Sequence, residues 1–169
     1  MAIIATEEIS GGIFNSTNVT GTVYGFPKGD KAVDAAFFAK MLSCIVSDGI
    51  VRGEGEELKV YPGGDLSVAV TPGIAWGNGY MAILEEDVYF ELENGHKYTV
   101  FLRFNSTGGT AKLMVFEDNH GTIPMRSASL CDLVLAKVTV DDDTVDITES
   151  MIDDVRDDRT QCGYITSKL

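Results

Sequence analysis

The period of the hydrophobic pattern changes once along this chain, and that change limits what it can fold into. Over residues 31–53, KAVDAAFFAKMLSCIVSDGIVRG, the residues Val33, Ala36, Phe37, Met41, Cys44 and Ile45 recur three and four apart. That is one apolar stripe at helical period. Phe38 and Leu42 widen the stripe, which predicts a helix pressed against a sheet. Asp30 is placed to cap its start, and Asp34 lies in its first turn, where a carboxylate suits the positive end of the dipole. Gly49 is the expected C′ residue, and Ile50-Val51 open an extended segment.

From residue 57 the period falls to two. Leu58–Tyr61 reads as a short strand ended by Pro62-Gly63-Gly64. Leu66, Val68 and Val70 alternate with Ser67, Ala69 and Thr71, the mark of a half-buried strand. Asn78-Gly79 between Trp76 and Tyr80 is a strong hairpin signal, because both residues tolerate positive φ. Val88, Phe90 and Leu92 alternate again, and Asn94-Gly95 makes a tight turn. Tyr98–Phe104 pairs naturally with Lys112–Phe116 across Asn105–Thr110. Leu130–Val140 is a long strand, followed by a turn at Asp141–Asp143. Thr148 is placed to cap a short turn through Met151-Ile152.

Such a series predicts a mainly β fold: an antiparallel β-sandwich or open barrel, preceded by an N-terminal arm and one amphipathic helix. Residues 1–30 form the arm, and residues 31–169 form a single helix-plus-sandwich domain. The arm is rich in Gly, Ser, Thr and Asn, yet carries Phe14, Tyr24 and Phe26. Those aromatics predict an arm that lies on its own domain or on a neighbouring subunit. No internal repeat and no βαβ unit is present.

Charge narrows the partners. Lys and Arg number 13 against 26 Asp and Glu, a net charge of −13. That argues against nucleic acid, whose phosphates demand positive charge, and against anionic lipid surfaces. The opening MAIIATEEIS lacks a basic region and a long apolar run, so secretion by a signal peptide is not expected. No segment approaches the ~20 apolar residues of a spanning helix, so membrane insertion is not expected. Cys44, Cys131 and Cys162 are far apart, with no CxxC pair, and read as buried free thiols of a reducing compartment. The sequons at Asn15, Asn18 and Asn105 read as polar turns.

Catalytic signatures are absent. Gly77-Asn78-Gly79 joins two strands and opens no helix, so it is no nucleotide loop. His96 and His120 fall in turns on either side of a hairpin, far from a triad arrangement. The acidic run from Asp141 to Asp158 matches no EF-hand spacing, and Arg156 and Arg159 are placed to neutralise it. It reads as a solvated, Arg-paired face, with no metal or other cofactor expected. A hydrolase would need two of these carboxylates to converge, roughly 5–10 Å apart. A different class of function, a carbohydrate-binding β-sandwich for a cell-surface glycan, would use Trp76 and Tyr80 as its aromatic platform.

Several segments occur together in a telling order. They are Phe14-Asn15-Ser16, Ala35–Val51, Leu66–Ala75 with its Gly-rich hairpin, Val134–Val140, Ile147-Thr148, Ile152–Arg156 and Cys162–Ile165. In this order the chain resembles the N-terminal domain of tailed-phage baseplate and tail-fibre adaptor proteins of the upper-baseplate type, from siphophages and their prophage relatives. The family's basic strand, R-x-D-x-I/V-V-L-R, corresponds to His96–Arg103, where Arg103 is the residue that fits. The resemblance implies a virion structural or adaptor protein, made in the bacterial cytoplasm and carried in the virion, that docks to other tail or baseplate proteins without catalysis. It implies a homo-oligomer, by analogy a trimer. Phe14, Tyr24 and Phe26 are the expected intersubunit anchors, since aromatics concentrate at interface centres. Many relatives continue past the closing Cys-Gly into a receptor-binding region, so a chain ending at Leu169 is expected to serve as adaptor or accessory.

Overall fold

The computed structural model describes residues 3–8, 35–118 and 123–169, with 3–8 and 35–37 described by their backbone alone. The anchors Phe14, Tyr24 and Phe26, the caps Asp30 and Asp34, and His120 lie outside the described residues. In chain order the elements are β1 (Ile3–Glu8), α1 (Ala35–Ile45), β2 (Gly49–Gly55), β3 (Val60–Gly64), β4 (Ser67–Val70) and β5 (Gly73–Gly77). Then come β6 (Tyr80–Leu84), β7 (Val88–Glu91), β8 (Lys97–Asn105), β9 (Thr110–Glu117), β10 (Leu130–Thr139) and β11 (Ile152–Asp154). The fold is mainly β, with one α-helix among the described residues.

Three antiparallel sheets form. The largest has the order β1-β9-β8-β10-β11, and two smaller ones have the orders β2-β5-β6 and β3-β4-β7. Alternation in β8 explains the layering. Tyr98, Val100, Leu102 and Phe104 turn inward, while Phe101 and Arg103 sit on the other face. The inward set packs with Leu113 and Leu133 of its own sheet and with Val60, Val68, Val70, Ala75, Ala82, Leu84 and Phe90 of the small sheets. One core is therefore closed by the large sheet on one side and the two small sheets on the other. A second cluster, Phe101, Met114, Phe116 and Val134, lies on the outer face of the large sheet.

The Asn78-Gly79 turn forms as its residues require. Asn78 has φ 52° and Gly79 φ 82°, and Gly77 pairs with Tyr80. The β8–β9 pairing across residues 105–110 also forms, with Tyr98 opposite Glu117 and Asn105 opposite Thr110. The first residues of the expected arm form β1, an edge strand paired with β9 of the same chain.

Three expectations need correction. The helix stops at Ile45, four residues before Gly49, because the C-terminal segment captures the chain there. The Lys168 N–H donates to the Ile45 carbonyl at 2.7 Å, and the Ser47 N–H to the Thr166 carbonyl at 2.9 Å. The first satisfies a carbonyl that the helix end leaves open, and the second pairs the chain just past the helix with the C-terminal segment. Gly49 sits instead in β2 with φ 144°, where a Cβ would lie 2.6 Å from the Gly163 carbonyl oxygen.

Among the described side chains, the helix also does not press the full width of its stripe against a sheet. Ala39 is buried against the Gly79 backbone, whereas Phe38 is 48% and Met41 40% exposed. Finally, Pro62-Gly63-Gly64 continues a strand rather than ending one. β3 is an edge strand with a register shift between Pro62 and Gly64, the place where a sheet tolerates proline.

Candidate functional site

The C-terminal segment ties the small sheets to the large one through Arg156. Its guanidinium pairs with Asp154 at 2.6 Å and donates to the Glu57 carbonyl at 2.8 Å. Desolvation opposes the charge of Asp154, but the hydrogen bonds from Arg156 outweigh it and hold the carboxyl below its usual range. From there the chain returns past Asp158 to Cys162 and Gly163. Gly163 has φ 85°, and its carbonyl accepts from the Ile50 N–H at 3.0 Å. A Cβ on Gly49 would run into the Gly163 carbonyl, and Gly163 itself holds a positive φ, so both glycines serve this close backbone contact.

This return leaves a cleft of about 280 Å³ lined by Ser47, Asp48, Arg126, Arg159, Cys162, Gly163, Tyr164 and Lys168. Arg126 is fixed by Asp48 at 3.7 Å and by the carbonyls of Gln161 and Cys162, each at 3.3 Å. Asp48 also accepts from the Asn78 N–H at 2.8 Å, joining the cleft to the hairpin turn. The Lys168 ammonium donates to the Ser43 carbonyl at the helix end, where a cation complements the dipole. Arg159 makes no hydrogen bond or ion pair with the described residues. Burial pushes the Cys162 thiol up to about 12, so it is no nucleophile near neutral pH.

The β5–β6 hairpin separates Trp76 from Tyr80. Gly77 pairs with Tyr80 and Trp76 with Met81, which sends Trp76 and Tyr80 to opposite faces. Tyr80 packs against the core. Trp76 shares the outer face with Ile74, Met81 and Ile83, all half-buried. A tyrosine pair lies elsewhere: half-buried Tyr61 and exposed Tyr89 flank Ala69 across β3-β4-β7. The Tyr61 hydroxyl donates to Asp87 at 2.7 Å and lies 3.4 Å from the Tyr89 hydroxyl. Those two neighbours push its pKa up. Sequence reasoning missed this pair, although Tyr61 and Tyr89 each occupy an alternating strand.

His96 is bonded to Glu117 at 2.7 Å. Among the described residues no three His, Cys, Asp or Glu side chains are grouped to hold a metal. In the acidic run Asp154 pairs with Arg156 and Asp157 with Arg52, while Arg159 turns to the cleft. Of the thiols, Cys131 and Cys162 are buried as expected, and Cys44 is exposed because its side of the helix is. Among the described residues no helix is long and apolar enough to cross a membrane. No protein-family model, curated protein or solved structure matches the chain.

Proposed function

We propose that the chain is a structural adaptor of a phage or prophage tail baseplate, working by docking to copies of itself and to neighbouring tail proteins. One observation carries the docking: half-buried apolar side chains on the outer face of one hairpin, beside a helix that exposes two more. Ile74, Trp76, Met81 and Ile83 line the outer face of the β5–β6 hairpin, and α1, with Phe38 and Met41 exposed, rests on that hairpin's turn. Apolar surface of this kind marks interaction sites on soluble proteins. The tail-baseplate assignment rests on the ordered segments, of which Asp154, Arg156, Cys162 and Gly163 do the fastening described above. The test is the double variant Phe38→Ser/Trp76→Ser, which leaves the core untouched. It should fall to a lower mass in solution than the wild-type oligomer, and an unchanged mass contradicts the reading.

A carbohydrate-binding reading has one observation in its favour, at the Tyr61–Tyr89 pair rather than at Trp76 and Tyr80. Tyr89 is 57% exposed beside the Asp87 carboxylate, an aromatic face next to a hydrogen-bond acceptor. Glycan binding abolished by Tyr89→Ala and kept by Trp76→Ala supports it.

A further inference from the structure

We propose that the cleft between Arg126, Arg159 and Lys168 receives the acidic turn Asp141–Asp146 of a second copy of this chain, joining copies head to tail. The proposal rests on the docking reading and names one contact through which it works.

The first argument is local charge. The chain carries −13 overall, yet three cations line the cleft against the single carboxylate of Asp48. Asp48 is already shared between Arg126 and the Asn78 N–H. Among the described residues, Arg159 therefore stands in the cleft with its charge uncommitted. At about 280 Å³ the cleft falls just below the usual range of small-molecule sites, about 300–1,000 Å³, and suits a side-chain tip.

The second argument is the shape of the turn. Asp141, Asp142, Asp143 and Asp146 are all exposed, and Val145 among them is 76% exposed. No Lys or Arg occurs between Lys137 and Arg156. An apolar knob ringed by carboxylates complements a cationic cleft floored by Cys162 and Tyr164.

The third argument is position. Arg126 bridges to Cys131 at the start of β10, and the acidic turn follows the end of β10 at Thr139. At about 3.3 Å per residue the two lie roughly 30 Å apart. A chain of this length has a radius of gyration of about 15 Å, so they sit at opposite ends. One copy cannot satisfy its own cleft. A patch at one end that matches a different patch at the other makes a heterologous contact, which closes into a ring or runs on as a filament.

The test uses sedimentation velocity on the full chain. Arg159→Glu/Lys168→Glu reverses the cleft, and Asp143→Lys/Asp146→Lys reverses the turn. All four residues are exposed, and circular dichroism checks that each variant is folded. Arg159→Glu alone is the second cleft variant, leaving the Lys168 helix contact intact. Each reversed variant should self-associate about tenfold or more weakly than wild type. An equal mixture of the two should associate more tightly than either variant alone, since every junction between unlike copies again pairs opposite charges and the copies can alternate in open chains or even-numbered rings. Molar salt should weaken the wild type, with the screening length reduced to about 3 Å. The proposal is overturned if the reversed variants associate like wild type, or if the mixture gains nothing. If those variants keep their mass while Phe38→Ser/Trp76→Ser loses it, this contact fails and the docking reading stands. A wild type that stays monomeric at every concentration overturns both.

Discussion

Arg103 and Asp132 stand opposite each other on β8 and β10 and meet in a two-point pair, Nε to Oδ1 at 2.7 Å and Nη2 to Oδ2 at 2.8 Å. Asp132 is fully buried, and the Arg103 side chain is 20% exposed. Asp132 also accepts from the Met125 N–H at 2.9 Å, so the loop before β10 depends on it. Arg103 lies over the rings of Phe101 and Phe116, at 5.3 and 5.9 Å. Arg103→Leu leaves a buried carboxylate unpaired and should cost about 3–5 kcal/mol in urea unfolding. Arg103→Met/Asp132→Leu should recover part of that loss. A remainder of about 1–3 kcal/mol is expected, because the Met125 N–H loses its acceptor. A double variant no better than the single one contradicts this account.

Among the described residues, the hairpin meets the body of the helix at Gly79, while Lys168 holds its C-terminal end. A Cβ on Gly79 would overlap the Ala39 carbonyl, and φ is already 82°. Gly79→Ala should therefore destabilise by at least about 1–2 kcal/mol from backbone conformation alone. The helix must also lift away from the hairpin, which loosens the end that Lys168 and Thr166 hold. Hydrogen exchange over residues 39–46 should speed up more than exchange in β8. Uniform acceleration of both segments would mean the helix is not separately anchored there.

The three thiols should separate cleanly by reactivity. Burial pushes Cys131 and Cys162 up to about 12, and both are enclosed, whereas Cys44 is exposed. Alkylation of the folded protein near pH 8 should modify Cys44 quickly and leave the other two until unfolding. Mass spectrometry of the digested product reads this directly. Fast labelling of Cys162 would show that the cleft floor is open.

Acid should act through Asp154 in a defined window. Its folded pKa lies below the ordinary 3.8, held there against desolvation by Arg156. A lowered carboxyl contributes stability that is complete above its unfolded value and is lost as pH falls through the folded one. The stability gap between wild type and Asp154→Asn should thus be constant at neutral pH and shrink below about pH 4. A gap that persists unchanged at pH 2 contradicts the assignment.

Much of the scaffold was legible because strands are read by a period of two and by turn chemistry. Asn78-Gly79, the β8–β9 pair and the long β10 all follow from local pattern. What failed depended on partners distant in sequence. Gly49 reads as a helix stop, but pairing at residues 163–168 ends the helix earlier, and the glycine serves a backbone contact instead. Trp76 and Tyr80 flank a turn and look adjacent, yet a two-residue turn aligns Trp76 with Met81. Counting that register finds the error. The cleft carries no sequence signal, since Asp48, Arg126 and Arg159–Lys168 come from three separate stretches. Arg159 in particular sits among carboxylates in sequence and turns away from them in space.

The central claim is that this scaffold docks to itself. Light scattering across a wide range of wild-type concentrations tests it most directly. The account predicts a particle of three chain masses that dissociates on dilution. A single chain mass at the highest concentration contradicts it.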